Sequence, residues 1–195
     1  MSSCKKAVPS RHQCNNKPPS SGKKRLSELV EEYLQNWGDF YQNEAQWWGN
    51  QTLDWKSAQK RAWESRRADG KMSRHQHRVG SEKLKEGLRI ALIDNIQSDR
   101  FETFEQLYEW VKSVAHQVDG LGELVTYDVA LRLGMWLNLE PAVVYLHRGT
   151  RDGAKKFNVN VKEKTATVSA FPPEMQELGA THAENFLCIY KEHLG

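Results

Sequence analysis

Long apolar runs are missing from this chain. None approaches the roughly 20 residues that a helix needs to cross a bilayer, so no membrane partner is expected. The apolar core of a secretory signal is missing as well. Cysteine is scarce: Cys4, Cys14 and Cys188 are the three present. An odd, small number fits free thiols in a reducing compartment better than a disulfide scaffold. The expectation is a cytoplasmic (intracellular) location. Cys4, His12 and Cys14 do not have the spacing of a tetrahedral zinc site, so no metal is expected. No complete catalytic signature is present, and nothing asks for a cofactor.

What is there is a chain of 195 residues, long enough for one real core with a tail. Its charge is unevenly divided. Residues 1–78 carry 15 Lys/Arg against 8 Asp/Glu, and residues 79–195 carry 13 against 17. A basic front on a mildly acidic back suggests an anionic partner for the front. A solvated tail plus one charged helix face gives the same asymmetry. Residues 1–24 hold Pro9, Pro18, Pro19 and many Ser, Asn and Lys, and read as a disordered basic arm. Residues 25–78 read as an aromatic and basic helical front segment, and residues 79–195 as a helical domain.

Periodicity supplies the elements. Leu26, Leu29, Val30, Tyr33, Leu34 and Trp37 predict a helix over 25–37 that Gly38 ends. Thr52 is the expected cap of a helix over 53–69, stopped by Asp69-Gly70. Ser81 caps a helix carrying Leu84, Leu88, Leu92 and Ile96, which 72–79 would extend or precede as a linker. Thr103 and Gln106 form a capping-box pattern. Pro141 suits the first turn of a short helix reaching Leu146 or His147, and 149–156 reads as a polar loop. Phe157, Val159 and Val161 alternate, and Thr165, Thr167 and Val168 follow, which predicts a β-hairpin. Thr181 and Glu184 read as a box opening a last helix. The fold class is mainly α: a helical bundle with one small β-hairpin.

The stretch most suggestive of function is Val118-Asp119-Gly120-Leu121-Gly122, between two helical patterns. Glycine admits positive φ and lets a foreign backbone approach. Amides at the start of the following helix can bind a phosphate oxygen. Residues 118–133 resemble the helix-hairpin-helix module of the DNA glycosylase superfamily, with Thr126 where that family commonly has Ala and Asp119 where it commonly has Pro. The resemblance covers about twenty residues by the motif's own length. It implies sequence-independent contact of DNA or RNA backbone with amides near Gly120, Leu121, Gly122 and Glu123. It implies no catalysis, because Leu124 stands at the position of the family's lysine and 142–144 are apolar where its aspartate falls.

Further candidates surround that bend. Tyr145, His147, Arg148, Arg151 and Lys155 form the densest polar run of the back half, able to bind phosphate or, with Asp152, to supply acid–base chemistry. Lys60, Arg61 and Arg67 interleave with Tyr41, Trp47, Trp48, Trp55 and Trp63, which suits stacking on single strands or a protein contact. Most such aromatics are core in a small domain. His75 and His77 lie in a basic string read as a solvated linker. Three readings result: a non-catalytic nucleic-acid backbone binder, a protein-binding inhibitor or adaptor using its Trp-rich front, and a diverged glycosylase-like or nuclease-like enzyme.

Overall fold

Helix α1 (Leu26–Trp48) buries Leu29, Val30, Tyr33, Trp37, Phe40, Tyr41 and Trp48 along one stripe. The computed structural model describes residues 24–195; the expected basic arm, with Cys4, His12 and Cys14, lies outside them apart from Lys24. Gly38 does not end α1, as the sequence suggested. An interior glycine costs a helix about 1 kcal/mol. Each large side chain buried beyond it returns about 1.5–3 kcal/mol, and Phe40, Tyr41 and Trp48 are three of these.

Helix α2 (Trp55–Glu64) starts later than predicted. Its cap is Asp54, whose carboxylate accepts from the Ser57 amide at 2.7 Å; Thr52 is held instead by Asn50. It stops at Ser65 in the left-handed region, and Asp69-Gly70 serves as the turn of an Arg66–Met72 bridge. The presumed linker is helix α3 (Arg74–Val79), with Gln76 fully buried, and Gly80 separates it from α4 (Ser81–Asp94). Helix α5 (Phe104–Ala115) begins at Thr103, whose hydroxyl accepts from the Gln106 amide. Helix α6 (Glu123–Leu137) is buried on most sides and packs against α1, α2 and α5.

The back half departs from expectation. Where a short helix was predicted after Pro141, strand β1 (Val143–Tyr145) forms, and it pairs antiparallel with β2 (Thr165–Thr167). The predicted hairpin is absent, because the partner of β2 lies some twenty residues upstream. Alternation marks a strand with one buried face, but it does not name the partner. Val159 and Val161 pack half-buried on the core without pairing. Residues predicted as a polar loop form helix α7 (Arg148–Ala154). Gly153 lets α7 lie against the last helix: a Cβ there would strike the Leu187 carbonyl. Helix α8 (Pro173–Gln176) and helix α9 (Gly179–Tyr190) complete the chain. Glu184 turns into the core and does not close a box with Thr181. Cys188 on α9 is buried and disulfide-bonded, against the expected free thiol; an odd count still leaves room for one pair.

The described residues are thus mainly helical with one two-stranded sheet. No helix among them is long and apolar enough to cross a membrane. They bury two apolar clusters. One joins α1 to α8, α9 and Val144. The other joins α2, α4, α5 and α6 to Tyr145. Residues from before and after position 78 enter both. Strand β1 separates them: its alternate side chains point to opposite faces, so Val144 and Leu146 fill the first cluster and Tyr145 the second.

Candidate nucleic-acid interface

The bend between α5 and α6 is built by a few main-chain bonds. The Val118 amide donates to the Ala115 carbonyl at 3.0 Å, and the Leu121 amide to the Val118 carbonyl at 3.2 Å. Gly120 has φ +86°, a region costly for any residue with a Cβ. Leu121 is buried and anchors the turn from below. Gly122 is extended, exposed and has open space where a side chain would project. It offers no side-chain acceptor to the first amides of α6, which a helix start leaves without helical partners. Thr126, buried, returns its hydroxyl to the Gly122 carbonyl at 3.2 Å and braces the first turn.

Cations gather over this bend. The Lys83 ammonium, from the first turn of α4, lies across Gly120 so closely that a Cβ there would collide with it. Arg151 of α7 and Lys164, just before β2, both reach Glu123, at 3.7 and 2.5 Å. The bend and the 147–155 run therefore face one another, as an anion-binding groove requires. Glu123 sits at their meeting point. The Lys164 hydrogen bond, offset in part by burial, and the charges of Lys164, Arg151 and His147 hold its carboxyl below the usual range. Tyr108 borders the same spot; burial, then Glu123, push its phenol up to about 12.

His147 precedes α7 and is buried. Its Nε2 meets the Glu184 carboxylate, and the Thr150 hydroxyl donates to that carboxylate at 3.0 Å. Burial pulls the imidazole down, but the charge and hydrogen bond of Glu184 outweigh it and raise His147 above its ordinary value. His147 therefore supports α7 from within and does not present a ring to solvent. No family model, curated protein or solved structure matches this chain.

The other sequence candidates are placed differently. Arg148 on α7 and Lys155 just after it are exposed, with Lys155 3.4 Å from Asp152. Lys60 is exposed and 3.9 Å from Glu64. Arg61 stacks 4.0 Å from the centre of the Trp47 ring and donates to the Trp47 carbonyl. Arg67 is buried and pairs with Asp69 at 2.9 Å. Arg61 thus ties the end of α1 to α2. Tyr41, Trp48 and Trp63 are buried, and Trp47 and Trp55 half-buried, so the front aromatics are chiefly core. Sequence reasoning missed Lys83, Lys164 and Glu184. Lys164 sat in an apparent hairpin turn, Lys83 on an ordinary polar helix face, and Glu184 in an apparent cap; no spacing rule joins them.

Proposed function

We propose that this chain binds the sugar-phosphate backbone of a nucleic acid, without catalysis, at the Gly120–Gly122 bend. The observation that carries the reading is the convergence of Lys83, Arg151 and Lys164, from three separate segments, on an exposed glycine bend at a helix start. Phosphate oxygens would take hydrogen bonds from the uncapped α6 amides and charge from the three cations. Glu123 occupies the seat in the free protein and gives up its partners as phosphate arrives. Contacts of this kind fix position on the strand and read no sequence.

The test is fluorescence anisotropy with a short duplex DNA and its RNA counterpart over a salt series. Three cations displacing counterions predict a log–log slope of about −2 to −3. Lys83→Ala with Lys164→Ala, both at exposed positions, should flatten that slope and weaken binding while leaving the thermal melt in place. Absence of binding at about 50 mM salt, or affinity unchanged in the double variant, would overturn the reading.

A further inference from the structure

A second feature lies away from the bend, where the end of α1, the end of α6 and the start of α9 enclose a cavity of about 420 Å³. That volume is near the lower end of the roughly 300–1,000 Å³ range of small-molecule pockets. It does not arise from helices held apart. At its edge, a Cβ on Gly49, at the end of α1, would meet the Met135 carbonyl of α6 at 3.0 Å. The α1 and α6 backbones touch there as closely as glycine permits, and the cavity lies beside that contact.

The wall is apolar, formed by Leu131, Met135, Leu139 and Leu178. The polar groups are few and divided. Gly179, Ala180 and Thr181 line one part and open α9, where the first amides lack helical acceptors and the helix carries its positive end. His182 lies beside them. Its Nδ1 is 2.8 Å from the Tyr33 hydroxyl. A Tyr33 hydroxyl that donates to Nδ1 leaves the neutral imidazole its proton on Nε2. Burial, countered in part by Glu140, lowers the pKa of His182, so the ring is a neutral donor. Glu140 lines the cavity from an exposed position and is its one acid; no lysine or arginine is among the lining residues described.

We propose that this cavity binds a small apolar α-amino acid. Its carboxylate takes the α9 amides, Thr181 and His182 Nε2–H; its ammonium pairs with Glu140; its side chain lies on the Leu131–Met135 wall. A carboxylate alone meets the repulsion of Glu140 with no cation to offset it. An amine alone faces the positive end of α9. A zwitterion satisfies both ends, and the wall selects an aliphatic or aromatic side chain.

Thermal melts and isothermal titration of the full chain with leucine and phenylalanine test this. The controls are 4-methylpentanoate, which lacks the amine, and isoamylamine, which lacks the carboxylate. The expected result is saturable stabilisation by the amino acids and weaker binding of both controls. Glu140→Gln should weaken leucine about tenfold, the loss of one charge-assisted contact, and should narrow the gap between leucine and 4-methylpentanoate. Ala45→Phe, projecting into the cavity from an exposed position, should abolish binding with an unchanged unliganded melt. No heat or melting shift at millimolar leucine, 4-methylpentanoate binding as tightly as leucine, or full affinity in Glu140→Gln would each overturn the proposal. Glu140→Gln keeps the test decisive should Ala45→Phe disturb folding.

Discussion

Two groupings of charge, one enclosed and one open, show how the same residue types do different work. Around Arg132 every partner is spent. Its guanidinium donates to the Ser65 hydroxyl at 2.7 Å, the Gln76 side chain at 2.9 Å and the Ala62 carbonyl at 3.2 Å. It stands 4.0 Å from Asp128 and over the Trp48 ring, and Gln76 in turn donates to Asp128. Around Glu123 the cations are equally present, yet Lys164 and the glycines face water and Arg151 is half-buried. An incoming anion can take the partners of Glu123 without unfolding anything; it cannot reach those of Arg132. Availability, and not the number of charges, separates this structural network from the surface proposed for recognition.

Breaking the enclosed grouping should have the largest effect. Arg132→Ala removes a buried cation with its bonds to Gln76, Ser65 and the Ala62 carbonyl and its charge beside Asp128, so it should cost about 3–5 kcal/mol in urea denaturation. Intermediate effects belong to the buried His147–Glu184 pair, enclosed like Arg132 but titratable. Glu184→Gln removes a charged acceptor and should cost about 1–3 kcal/mol near pH 6. Its pH dependence sharpens the contrast. His147 has a folded pKa above its ordinary 6.5, so its stabilising contribution is complete below that value. It is lost as pH rises through the folded pKa. Wild type should therefore lose stability with rising pH in that window, and Glu184→Gln should show a flatter curve. Arg132, charged throughout, contributes no slope there. Smallest in stability is Glu123→Gln, expected within about 0.5 kcal/mol. It should instead raise nucleic-acid affinity about threefold at low salt, fading as salt increases. A loss of affinity would mean that Glu123 organises the cations and does not compete for them.

Much of the helical framework could be read directly. The 3.6-residue recurrence of Phe104, Leu107, Trp110, Val111 and Val114 needs no tertiary information, and α5 follows it. Elements created by packing could not. Helix α7 contains two glycines and a run of polar residues, a poor helix by propensity, and it forms against α9 because Gly153 permits contact. Strand β1 is three residues long and borrows its identity from a partner far along the chain. For the interface, the glycine bend and Arg151 were legible because backbone geometry and charge are local. Lys83 and Lys164 were not, since only the fold carries them to the bend. Nor was Arg132, which in sequence is another cation on an apolar helix.

Strand β1, with one face in each apolar cluster, has a consequence for how the molecule comes apart. Neither half can loosen without pulling Val144 or Tyr145 from its seat and uncovering the other. The two clusters are therefore tied into one cooperative unit, melting in a single transition.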